Sequence, residues 1–170
     1  DREIIAALYK ASAAGVKIDL IVRGICCLKV GIPGISDTIT VRSIVGNFLE
    51  HARIFYFYNG GVERIYMGSA DWMPRNLDKR IELVFPLESE DCKEEVRYIL
   101  ETQLADTEKA SILQSDGSYR RIVPEGKEPR NCQMEFCRHY ALLASSGQLP
   151  EDERFFIPEE APVDKHFSQR

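Results

Sequence analysis

Apolar residues recur at helical spacing from the start of the chain: Ile4, Ile5, Leu8 and Tyr9 share one face, and Gly15 follows as a stop. Lys17 to Arg23 then switches to a nearly continuous apolar run, which predicts a mostly buried strand. Helix, glycine and buried strand in that order make an α/β unit. Gly31 to Asp37, with Pro33 and Gly34, reads as a loop, and Val41 to Leu49 as a short helical or irregular segment. Two β-prone runs come next, from His51 to Phe57 and on to Trp72, separated by Asn59-Gly60-Gly61. Glycines between two such runs signal a hairpin, because tight hairpin turns need positive φ.

The second half reads as further α/β material. Arg80 to Phe85 predicts a strand ended by Pro86. Ser89 or Asp91 caps a helix with Val96, Ile99, Leu100 and Leu104 on one face. Asp116-Gly117 is a turn, Tyr119 to Val123 a short strand, and Cys132 to Ala144 a helix with Phe136, Tyr140 and Leu143 on one face. These elements make one domain over 1–148. The remainder, 149–170, is an acidic, Pro-containing tail, expected to be disordered or draped on the surface.

The hairpin changes the picture from fold to chemistry. Side chains two apart on a strand point the same way, so His51 and Arg53 share a face. Folding at the glycines sets His51 opposite Ser69 to Asp71, within a residue. An imidazole can attack phosphorus, donate a proton or bind an anion, and a guanidinium matches two phosphate oxygens at once. Arg23 ends a buried strand, where ligands of open α/β sheets collect. His51, Arg53 and Arg23 are therefore candidates, with Ser69, Asp71 and Arg75 as further phosphate contacts. Trp72 reads as core rather than as a platform for a base.

Charge and cysteine content narrow the setting. The 170 residues are 44% hydrophobic and 29% charged, ordinary for a soluble protein. Net charge is −5, divided into +2 over residues 1–82 and −7 over 83–170. A polyanion would meet a local cationic patch in the first half, drawn from Arg23, Arg42, Arg53, Arg75, Lys79 and Arg80. Five cysteines, with no CxxC pair, point away from disulfides or zinc and toward a reducing cytoplasm; Cys26 and Cys27 read as small buried residues. No run is long enough for a transmembrane helix. No GxxxxGK[ST] or GxGxxG loop is present, and the acidic residues from Glu88 to Glu95 read as a solvated helix start, not as metal ligands. His139 and His166 read as idle. The chain begins at Asp1 with residues that already read as helical, as a fragment or a processed protein would.

His51-Ala52-Arg53 followed by Gly68-Ser69-Ala70-Asp71 resembles a degenerate phospholipase D half-motif, HxK…GSxN, with Arg for Lys and Asp for Asn. More of the chain is similar to the C-terminal domain of bacterial polyphosphate kinases. The likeness runs from about residue 3 to 145, through Leu8–Ser12, Ile21–Leu28, Ser43–Gly46, Phe48–His51, Asn59–Gly61 and Gly68–Met73. It implies an α/β fold with a phospholipase D-like mixed sheet flanked by helices. It also implies reversible transfer of the terminal phosphoryl of ATP to inorganic polyphosphate, through a phosphohistidine in a preceding domain. Arg23 and His51 stand at its ATP-binding positions, with His51 suited to acid or hydrogen-bond catalysis. Magnesium is implied, with ligands mainly in the preceding domain and none assigned here. The family usually has arginine before the FLEH string, where this chain has Asn47.

The expected partners are therefore ATP, ADP, polyphosphate, preceding domains of the same chain and further copies in a homo-oligomer. No nucleic acid is expected, and the expected location is cytoplasmic or peripheral to the membrane. Two other classes fit the same residues: half of a phospholipase D-type phosphodiesterase, and a non-catalytic polyanion-binding module.

Overall fold

A computed structural model describes residues 1–124, 126 and 128–146, so the 149–170 tail and His166 lie outside the described residues. The chain divides into two units, Asp1–Glu135 and Phe136–Arg170. In the first, α1 (Arg2–Ala13) starts under a side-chain cap, with Asp1 Oδ1 accepting from the N–H groups of Glu3 and Ile4. Gly15, at φ 85°, turns the chain out of it.

β1 (Ile18–Ile21) and β2 (Ile39–Ile44) pair in parallel; β6 (Ala110–Leu113) and β7 (Tyr119–Arg121) extend the sheet with antiparallel pairings, in the order β1-β2-β6-β7. Ile39, Val41 and Leu113 from this mixed sheet, with Leu28 and Val30 from the loop after β1, form the core, and Ile5, Leu8 and Tyr9 of α1 pack against it. This burial of an amphipathic helix stripe on a sheet face is the dominant stabilising term of the unit.

The segment after residue 41 departs from its expected form. It is the inner strand β2, not a helical or irregular piece, and only residues 45–53 are irregular. Ile39, Thr40, Val41 and Ile44 supply the β-branched side chains that a buried strand favours. β6 was not anticipated either. Its partner β2 lies far back in the chain, and its four residues are too short a run to show a period.

The hairpin forms a second, three-stranded antiparallel sheet, β3-β4-β5: β3 (Ile54–Phe57), β4 (Arg64–Gly68) and β5 (Val84–Pro86). Its turn is a short 3-10 stretch, Asn59–Gly61, with φ of 49°, 65° and 95°. Ile54 faces Met67 and Phe57 faces Arg64. Gly68 is required where β4 meets the strand edge, since a Cβ there would lie 2.7 Å from the Leu83 carbonyl oxygen. Phe55 stacks on half-buried Trp72 at 5.3 Å between ring centroids. The short helix α2 (Pro74–Lys79) begins on proline, and α3 (Glu90–Leu104) buries Val96 and Thr102.

α4 (Cys132–Ser145) begins at the end of the first unit. Within the second unit Phe136, His139 and Leu143 are partly buried whereas Tyr140 is exposed, and the His139 ring sits edge-on to Tyr140. All five cysteines are free thiols. Cys26 is half-buried and Cys27 exposed, because the chain is already irregular four residues after β1; Cys132 is the fully buried one.

Candidate active site

β1 ends at Ile21, and Val22 N–H still donates to the Arg42 carbonyl at 2.8 Å, so Arg23 emerges at the carboxyl end of the sheet. Its side chain is exposed, and Nη1 donates to the Glu50 carbonyl oxygen at 2.8 Å. That peptide group immediately precedes His51. His51 is exposed and lies in the irregular segment before β3, not on the strand itself. The ladder begins at Ile54, so shared strand orientation does not define the relation of His51 to Arg53. Direct contact does: Arg53 Nη1 donates to the His51 carbonyl at 2.6 Å, and Nε donates to Asp71 Oδ1 at 3.1 Å.

Two guanidinium groups therefore hold successive carbonyls, at Glu50 and His51, from opposite directions along the chain. Charge-assisted bonds of this kind are stronger than neutral ones, and they set the main chain that carries the imidazole. The Arg53–Asp71 ion pair ties this segment to the loop after β4.

Ser69 is committed elsewhere. Its hydroxyl donates to the Glu82 carboxylate and accepts from Leu83 N–H at 3.0 Å. Asn76, the buried residue of otherwise exposed α2, holds the other Glu82 oxygen through Nδ2 at 2.7 Å. The Ser69 and Asn76 hydrogen bonds keep the Glu82 carboxyl below its usual range, with smaller help from Arg80 and Arg53. Arg75 is exposed on α2, with no partner among the described residues. Arg42, expected in a surface cationic patch, instead turns inward. Its Nη1 donates to the Asp106 carbonyl at 3.0 Å, and desolvation lowers its pKa against the pull of Asp106 and Asp19. Position 42 alternates with buried Val41 on β2 and is itself only partly exposed.

Sequence reasoning missed Glu82, Asp106, Gln103 and Gln133, whereas Asn76 reads from the sequence as site edge or solvated surface. Glu82 lies close after the GSADW segment and could have been suspected as its support. Asp106, Gln103 and Gln133 hold groups 26 to 85 residues away, and partners so remote leave no local signal. Asp106 is fully buried; Oδ1 accepts from Lys109 and Ala110 N–H, and Oδ2 accepts from Cys132 N–H at 2.9 Å. Burial, and then a hydrogen bond to Asp106, pushes the Cys132 thiol up to about 12.

Among the described residues no group of three or more His, Cys, Asp or Glu is disposed to hold a metal ion. Asp71 is paired with Arg53, and Glu82 with Ser69 and Asn76. These residues do not fit a magnesium site. No described helix is long and apolar enough to cross a membrane.

Residues 1–133 match the family model described as polyphosphate kinase C-terminal domain 2. The chain is 58% identical over 134 residues to a polyphosphate kinase of Pseudomonas aeruginosa PAO1, covering 78% of this chain and 19% of that protein. It is 49% identical over 166 residues to the polyphosphate kinase of Lactiplantibacillus plantarum, covering 95% and 23%. The crystal structure of polyphosphate kinase from Porphyromonas gingivalis superposes with a TM-score of 0.81 at 41% identity, over 86% of this chain and 22% of that one. The chain thus spans about a fifth of the length of these relatives. The fold is the α/β, phospholipase D-like arrangement expected from the sequence.

Proposed function

Because this chain belongs to the polyphosphate kinase C-terminal domain family, we propose that it is the part of a polyphosphate kinase that receives ATP and polyphosphate, with His51 and Arg23 as its working groups. Phosphoryl transfer asks a protein mainly for position and for stabilisation of charge on oxygen. The Arg23 fork takes two oxygens of one phosphate. The imidazole of His51 hydrogen-bonds the oxygen that gains charge as the P–O bond breaks. When protonated it delivers that proton, and it takes it back in the reverse direction.

The nucleophile is an imidazole nitrogen in a preceding domain of the longer enzyme. It attacks the terminal phosphorus of ATP and ADP leaves; the terminal oxygen of polyphosphate then takes the phosphoryl group. On this reading the 170-residue chain by itself is inactive. Arg53 and Asp71 serve the site by holding the His51 main chain. The observation that carries the reading is the pair of guanidinium groups on the Glu50 and His51 carbonyls, beside an exposed imidazole.

In the full-length enzyme, His51→Ala should lower ATP-dependent polyphosphate synthesis by about 100-fold or more. A rate within about twofold of wild type, measured under the same conditions, would remove His51 from the mechanism.

A further inference from the structure

The segment from residue 45 to 53 has no helix or strand of its own, yet it must present His51 in one place. Packing does not hold it there. Its apolar side chains Val45, Phe48 and Leu49 are 66%, 53% and 72% exposed. What holds it is hydrogen bonding from far along the chain. Gln133, on the first turn of α4 and 4% exposed, accepts from Phe48 N–H through Oε1 at 2.9 Å. Its Nε2 donates to the Phe48 carbonyl at 2.8 Å and to Glu50 Oε1 at 2.7 Å. One side-chain amide thus satisfies both main-chain groups of Phe48, as a neighbouring strand would.

Gln103 of α3 donates to the other Glu50 oxygen at 2.6 Å. Gly46 lies against the same glutamine amide, where a Cβ would overlap Gln133 Oε1. The glutamine is itself anchored, because the preceding Cys132 N–H is held by buried Asp106. Buried amide groups with all their bonds made are costly to disturb, since breaking one side leaves the other unpaired.

We propose that Gln133 is a positioning residue for His51, acting through Phe48 and Glu50 to fix the loop so that the imidazole and Arg23 address one phosphate chain. The proposal rests on the role given to His51 above. The Glu50 residue is the junction: its carboxylate is held by Gln133 and Gln103, and its carbonyl by Arg23.

The test uses the full-length enzyme. Gln133→Ala should speed amide hydrogen exchange across residues 46–51 by about tenfold or more, with β2 amides unchanged. It should lower kcat by about tenfold with the KM for ATP within about twofold, because a displaced reacting group costs rate more than affinity. Gln133→Glu, which keeps the size and the acceptor, covers the case in which the alanine variant does not fold. It loses the Nε2 donors and sets a second carboxyl against Glu50. Its activity relative to wild type should recover as pH falls, when the new carboxyl binds a proton and can donate again.

Wild-type exchange at 46–51, or a Gln133→Glu pH profile parallel to wild type, would overturn the positioning role. Wild-type activity in His51→Ala overturns the functional reading whatever Gln133 does. An inactive His51→Ala beside Gln133 variants with unchanged kcat and loop exchange overturns the positioning role alone.

Discussion

In the four-stranded sheet Ile39, Val41, Ile44, Ala110 and Leu113 are all buried. In the three-stranded sheet only Ile65 is, while Phe57, Val84 and Phe85 are exposed. The first sheet carries its own core under α1. The second is shaped by a turn, a strand ladder and aromatic contacts, and it offers an open apolar recess of about 330 Å³ between Phe55, Phe57, Tyr66, Ala70, Trp72, Leu77 and Val84. His51 lies on the segment that joins them, after β2 and before β3. Buried apolar residues are thus concentrated on one side of the loop that carries His51, and the Arg53–Asp71 pair on the other. Functional groups commonly sit where local stability is lower and a rigid scaffold lies beside them.

The contrast can be broken by mutation. Val41→Ala removes two methyl groups from the fully buried strand β2 and should cost about 2–3 kcal/mol in urea unfolding; a loss below about 1 kcal/mol would mean the core tolerates a void there. On the same side, pH should act through Cys132. The unfolded thiol ionises near its ordinary value, whereas the folded one keeps its proton up to about 12. The folded state therefore binds more protons in between, and stability should fall as pH rises from about 9 toward 12. Unfolding curves of Cys132→Ala should lose that slope, and an unchanged slope would assign it to other groups.

The three-stranded sheet should respond more weakly. Gly60→Ala forces a Cβ into φ 65° and should cost about 1 kcal/mol, read as a lower urea midpoint. Phe57→Ser should stay within about 0.5 kcal/mol of wild type, because the ring is exposed. A large loss there would show that the aromatic face supports the fold and erase the difference between the two sheets.

The outer strands of the first sheet, β1 and β7, were legible locally, and the inner pair was not. The α1 stripe, its glycine stop, β1 and the amphipathic α3 each announce themselves by period and cap. The Asn59–Gly61 turn was equally readable, and with it the β3–β4 pairing, since the turn sets the register of the strands it joins. β2 was misread, although its β-branched side chains were in view, because its period is imperfect: Ser43 falls where the alternation calls for an apolar residue. His51 was placed three residues too far into a strand, because β propensity does not report where hydrogen-bonded pairing stops.

The order of residues alone determined that α1, α3 and α4 are helical and where the hairpin turns, and it marked His51, Arg23 and Arg53 as candidate groups. Only the folded chain decided what each of them touches. Arg42 went inward to Asp106, Ser69 went to Glu82, and a glutamine 85 residues away took over the backbone of Phe48. Periodicity is a property of neighbours in sequence, whereas a hydrogen-bond partner is chosen by whichever group packing brings within about 3 Å. Remote partners of that kind set the course of the loop that carries the His51 imidazole.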